Sequence, residues 1–107
     1  MENINEVVSN IKDSILRFVP AKYIYLFGSH AYGVPHEKSD IDIYLVVPDH
    51  IESLSFLYAD IICDLFHKDI IEVDLLLKRE KDFIFRKDKS RFEGNIVNKG
   101  RLIYESI

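Results

Sequence analysis

Apolar positions recur along this chain with two different periods. From Asn3 to Val19 they fall at Ile4, Val7, Val8, Ile11, Ile15, Phe18 and Val19, a stripe at helical spacing. Asn3 and Glu6 suit a capped start, and Pro20 ends the pattern because its nitrogen has no hydrogen to donate. "KYIYLFGS", from Lys22 to Ser29, concentrates aromatic and β-branched residues and predicts a strand. A second strand is predicted from Asp40 to Val47, closed by Pro48 and Asp49. A helix follows from about Glu52 to His67, with Leu54, Leu57, Tyr58, Ile61 and Leu65 on one face. "DIIEVDLLLK", from Asp69 to Lys78, predicts a third strand. Beyond it the chain is more charged and less periodic. Short helices are expected around Lys81 to Arg86 and Arg91 to Asn98, with Gly100 capping the second and "RLIYES" adding a short final strand. No repeat, low-complexity segment or linker divides the pattern, so residues 1–107 read as a single domain. Helices alternating with buried strands predict an α/β (α+β) fold, a mixed sheet flanked by helices.

Composition narrows the class. Hydrophobic residues make up 48% and charged residues 30%, ordinary proportions for a soluble globular chain. No apolar run approaches the ~20 residues of a membrane span. "MENINEVVSN" lacks the basic-then-apolar order of a secretory signal, so a cytoplasmic protein is expected. The one cysteine, Cys63 in "ADIICDLF", is expected to be a small buried apolar residue. With 14 Lys and Arg against 18 Asp and Glu, the net charge of −4 argues against sequence-independent binding to nucleic acid. It does not exclude a small phosphorylated ligand, because a metal can supply positive charge locally.

Against this background two aspartates are out of place. Asp40 and Asp42 stand inside what otherwise reads as a buried strand. Side chains at i and i+2 of a strand share a face, so the two project together while Ile41 and Ile43 point into the core. Carboxylates this close raise each other's pKa unless a cation neutralises them, and hard Mg²⁺ prefers oxygen ligands. The third strand repeats the anomaly, since Asp74 interrupts "IIEVDLLL" with apolar residues on both sides. If the two strands are neighbours, Asp74 completes a cluster able to hold two metals ~3.5–4 Å apart, the arrangement of in-line nucleotidyl displacement. Glu72 shares the nominal face of Asp74, and alternation alone does not rank the two; the tighter apolar flanking favours Asp74.

Gly28 and Ser29 follow the first strand directly, and "SHAYG" reads as the first turn of a short helix. Unpaired N–H groups at such a start suit a phosphate, a glycine admits close approach, and the Ser29 hydroxyl can donate to a phosphate oxygen. Gly33 would let the chain turn back toward the second strand. Taken together, "GSHAYGVPHEKSDIDIYLVV" resembles the G-S-x-A-x-G…S-D-x-D motif of the nucleotidyltransferase superfamily that includes DNA polymerase beta. At this size the chain is most similar to the minimal nucleotidyltransferases, and "FEGNIVNKGRLIYE" resembles their C-terminal segment as well.

The resemblance implies a nucleotidyltransferase fold and a set of roles. Asp40 and Asp42 would bind a pair of Mg²⁺ ions, and Asp74 would bind the catalytic one and help activate the attacking hydroxyl. Gly28 and Ser29 would hold the triphosphate of ATP, with Ser39 assisting. Many relatives carry Arg where this chain has His30, and often another where it has Tyr32; His30 either donates a hydrogen bond there or simply packs. The resemblance further implies transfer of AMP to a hydroxyl, a tyrosine of a partner HEPN-domain toxin, with this chain as antitoxin. A non-catalytic antitoxin acting by occlusion and an enzyme for a small acceptor are the rival readings. A homo-oligomer is left open, and neither nucleic acid nor membrane is an expected partner. His36 reads as a solvated loop residue, His50 and His67 as polar helix termini, and the basic residues from Lys78 to Arg91 as mostly a solvated face.

Overall fold

The computed structural model describes residues 3–32 and 40–107. Helix α1 (Ile4–Phe18) leads into strand β1 (Tyr23–Phe27) and a single helical turn, α2 (Ser29–Tyr32). Strand β2 (Ile41–Val47), helix α3 (Leu54–His67) and strand β3 (Val73–Arg79) follow, then α4 (Glu80–Lys87), α5 (Arg91–Lys99) and strand β4 (Arg101–Glu105). The strands form one mixed sheet in the order β3-β2-β1-β4. β1 is antiparallel to both β2 and β4, whereas β2 and β3 run parallel across the α3 crossover. The expected α/β architecture is therefore present.

One face of the sheet is aliphatic. Ile24, Leu26, Ile41, Ile43, Leu45, Val47 and Leu75 pack beneath Val8, Ile11 and Ile15 of α1 and Leu57, Ile61 and Leu65 of α3. Burying each such side chain contributes about 1.5–3 kcal/mol, so this layer is the main source of stability. The opposite face is aromatic: Tyr25, Phe27, Tyr44 and Val46 pack under Phe83 of α4 and Ile96 of α5.

Local departures from the sequence pattern have identifiable causes. α1 starts as expected, with Asn3 Oδ1 accepting the Asn5 amide at 2.9 Å. α3 starts at Leu54 rather than Glu52, because Ser53 Oγ accepts the Phe56 amide at 3.1 Å and fixes the cap there. β3 starts at Val73 rather than Asp69. The Ile70 amide donates to Leu65 O and the Asp69 amide to Phe66 O, with Asp69 in the left-handed region at φ 61°. That is a Schellman closure of α3, and it consumes the residues that the apolar pattern assigned to the strand. Cys63 is exposed, contrary to the expected burial. The inward stripe of α3 is Leu57, Ile61 and Leu65, and Cys63 falls between its turns; Tyr58, expected on that stripe, is also exposed. Gly100 does close α5, its amide donating to Ile96 O at 2.9 Å. Its φ of −71° is ordinary; glycine is needed there because a Cβ would lie 2.5 Å from Ile96 O and 3.1 Å from Leu26 O.

The basic segment is only partly a solvated face. Arg79 donates to the carbonyls of Ile51 and Glu52, both at 3.0 Å, pinning the entry of α3 to the end of β3. Asp49 Oδ1 accepts the Lys81 amide at 2.9 Å, capping α4 from a distant loop.

Candidate functional site

β1 ends where β2 and β3 begin, because β1 is antiparallel to β2 while β3 is parallel to it. The residues singled out in the sequence gather at that end of the sheet. Phe27 pairs with Asp42, and Asp42 pairs in register with Asp74. Asp42 and Asp74 thus stand side by side on the aromatic face, since Tyr44, two residues after Asp42, belongs to that layer. Glu72 takes another position: its carbonyl accepts the Ile41 amide at 2.9 Å and it precedes the strand. Register thereby separates two residues that alternation left equivalent.

Asp40 lies just outside β2 and is exposed, and Asp74 is exposed as well. Only Asp42 is half-buried. These aspartates stand at the rim of the sheet rather than inside a buried strand, where water and a ligand can reach them. Burial pushes the Asp42 carboxyl above its ordinary pKa; the charges of Asp74 and then Asp40 push it further, and His30 offsets part of the rise. The carboxylates repel each other, which is the electrostatic condition a cation relieves. Among the described residues no group of three or more His, Cys, Asp or Glu side chains is placed to hold a metal ion.

The turn after β1 closes on the same carboxylate. Gly28 has φ 74°, and a Cβ there would lie 2.0 Å from Asp42 Oδ2 and 3.0 Å from its Cγ. Both the conformation and the space therefore require glycine. Ser29 opens α2, and the Ala31 amide donates to Gly28 O at 3.1 Å. His30 is in this turn, close enough for its charge to act on Asp42. Ser39, Gly33 and His36 lie outside the described residues.

One functional-looking residue escaped the sequence reading. Glu93 on α5 is 1% exposed. Its Oε2 accepts from Tyr44 Oη at 2.9 Å and from Arg86 Nε at 3.0 Å, while Oε1 is buried without a hydrogen-bond partner in the structure. Burial pushes this carboxyl up, but the Ser90 and Tyr44 hydroxyls and the Arg86 guanidinium outweigh it and hold it below its ordinary range. The same contact raises the Tyr44 phenol: burial acts first, then the hydrogen bond to Glu93. A signal was available, since Glu93 lies one turn before Ile96 on the apolar stripe of α5.

Comparison with known proteins places this geometry. The family model described as polymerase beta, nucleotidyltransferase, matches residues 9–106. Protein adenylyltransferase MntA of Shewanella oneidensis is 31% identical over 74 residues, 68% of this chain and 51% of its own length. The chain thus spans about half the length of that relative. A crystal structure of a toxin–antitoxin with AMP-PNP superposes with TM-score 0.61 at 25% identity, over 91% of this chain and 73% of the other. A tri-AMPylated Shewanella oneidensis HEPN toxin in complex with MNT antitoxin shares the fold at TM-score 0.60 and 19% identity, over 95% and 72% of the two chains. The paired strand aspartates, the glycine turn against them and the span of the family match agree, and the chain belongs to the polymerase beta nucleotidyltransferase family.

Proposed function

We propose that this protein transfers AMP from ATP to a hydroxyl of a partner protein, a tyrosine of a HEPN-domain toxin, and so acts as the antitoxin of a pair. The observation that carries this reading is the in-register meeting of Asp42 and Asp74, with Gly28 packed against the Asp42 carboxylate. Support for the acceptor comes from likeness. The Shewanella relative bears the name protein adenylyltransferase, and the similar toxin–antitoxin crystal structure holds AMP-PNP, an analogue of ATP.

Asp40, Asp42 and Asp74 are not drawn together as a three-ligand cage. Asp42 and Asp74, paired in register, with Asp40 two residues before Asp42 at the same rim, are the residues that would hold Mg²⁺, and the mutual repulsion acting on Asp42 fits that donor set. When bound, the metal supplies the positive charge that carboxylates and phosphates need in order to approach one another. Gly28 leaves room for the Asp42 carboxylate at the mouth of the turn and would present its backbone to the triphosphate; Ser29 would donate its hydroxyl to a phosphate oxygen, and Ser39 would assist. Asp74 orients the acceptor hydroxyl and takes its proton. The acceptor oxygen bonds to the α-phosphorus as the bond from that phosphorus to the bridging oxygen breaks, and pyrophosphate leaves. Positioning and electrostatic stabilisation supply most of the acceleration. No helix among the described residues is long and apolar enough to cross a membrane.

The test is transfer of label from α-labelled ATP with Mg²⁺ to the partner toxin, using wild type and the Asp40→Asn/Asp42→Asn double variant. Label on the toxin with wild type, abolished in the variant, is the expected result. An unlabelled toxin that nevertheless binds tightly would replace catalysis by neutralisation through contact.

A further inference from the structure

The aromatic face of the sheet ends, at the carboxylate rim, in a ring that is left open. Phe27 is the strand partner of Asp42, and the Phe92 ring stands edge-on to Phe27 at 5.6 Å between centroids. Phe92 also lies 6.2 Å from the Tyr44 ring. Phe27 and Tyr44 are buried, whereas Phe92 is 44% exposed. A large aromatic surface is thus presented to water one ring away from the carboxylates.

Its position is held firmly. Glu93, the next residue, ties the first turn of α5 to β2 through Tyr44 and to α4 through Arg86. Tyr44 is two residues from Asp42 on the same face, so this clasp references the Phe92 backbone to the strand that carries the carboxylate. Burying a carboxylate is costly and is tolerated only where it is paired. Here it fixes the starting turn of α5, which a helix of nine residues would otherwise leave to fray.

We infer that Phe92 is the stacking platform for the nucleobase of the bound nucleotide. The inference rests on reading the site as one for a nucleoside triphosphate. In such a ligand the α-phosphate and the base are separated by a single ribose, matching a carboxylate rim and an open ring separated by Phe27. Stacking uses the π-face that every base has, and an aromatic ring already held in place adds affinity without an ordering cost. The larger purine ring system gains more than a pyrimidine, so the platform favours ATP and GTP over CTP and UTP.

The experiment measures binding of ATP, CTP and inorganic tripolyphosphate in the presence of Mg²⁺ to wild type, Phe92→Ala and Phe92→Leu. Tripolyphosphate reports the phosphate site without a base. The expected result is a roughly 5- to 100-fold loss of ATP affinity in both variants, with tripolyphosphate unchanged and the preference for ATP over CTP reduced. The chain has no tryptophan, so Phe92→Trp supplies a single reporter whose fluorescence ATP should quench and tripolyphosphate should not. Undiminished ATP affinity in Phe92→Leu overturns the platform while leaving the nucleotide site intact. Should Phe92→Ala lose both ligands through misfolding, the leucine variant, which keeps an apolar side chain, decides. Binding of neither ATP nor tripolyphosphate to wild type would overturn the nucleotide reading and the platform together.

Discussion

Ile43 and Tyr44 are neighbours in β2, both fully buried, yet they belong to two differently built layers. Ile43 faces an aliphatic layer closed by α1 and α3, where shape and volume decide everything. Tyr44 faces aromatic rings, a buried carboxylate and, two residues along the strand, Asp42. The first layer is aliphatic at the sheet, and its buried polar group, Ser14 of α1, is satisfied by Lys68 Nζ at 2.7 Å. The second accepts polar atoms because each is placed to serve either the clasp or the rim. A small domain can thus separate stability from function without a second domain, by using opposite sides of one strand.

Substitutions on the two sides should behave oppositely, and the largest contrast is at Asp42. Asp42→Asn should lower AMP transfer by roughly 10³-fold. Its melting temperature in metal-free buffer should rise, because the folded state disfavours the Asp42 charge; a fall would mean that the carboxylate is structural. Next comes Ile43→Ala, expected to cost about 2–5 kcal/mol of stability while leaving activity per folded molecule unchanged. Tyr44→Phe keeps the ring but removes one bond to Glu93, for about 1–3 kcal/mol. Denaturant midpoints and single-turnover rates on the same samples separate the two kinds of loss.

Glu93 links the aromatic layer to pH. Its carboxyl is held below the ordinary value of 4.5, so its charged form is favoured by folding. That contribution is present above 4.5 and is lost as pH falls through the lower folded value. Glu93→Gln should therefore be less stable at neutral pH and show a flatter acid limb in urea midpoints taken below about pH 5. An acid limb identical to wild type would place the sensitivity elsewhere. The smallest effect is expected outside both layers, at Asp69. Relieving its positive φ with Asp69→Gly should stabilise by no more than about 1 kcal/mol, with no change in transfer.

Much of this was legible in the chain itself. Helices α1 and α3 were visible as a period of 3.6 and strands β1 to β3 as runs of aromatic and aliphatic residues, while α4, α5 and β4 lay in a less periodic segment. The Gly-Ser turn with its aspartates stood out by violating the apolar pattern. Alternation identifies the face of a residue but not its neighbour across the sheet, so the meeting of Asp42 with Asp74, and not with Glu72, had to come from register. The start of β3 was misplaced because Asp69 and Ile70 satisfy apolar alternation while their amides close α3. Glu93 was overlooked for a different reason. Its place one turn before Ile96 on the apolar stripe of α5 pointed inward, but a glutamate is presumed solvated, and the tyrosine that reaches it lies 49 positions away.

The strand order carries a consequence for how the molecule is made. β4 pairs with β1, so residues 101–105 complete a sheet that began at Tyr23. A growing chain that has already produced Asp42 and Asp74 still lacks α5, β4 and with them the cover over Phe27 and Tyr44. Until Glu105 emerges, an aromatic surface and an open strand edge are both available for wrong pairings, the situation in which partly synthesised domains aggregate. The same connection makes folding slow for the size of the domain, because distant segments must meet before either is rewarded.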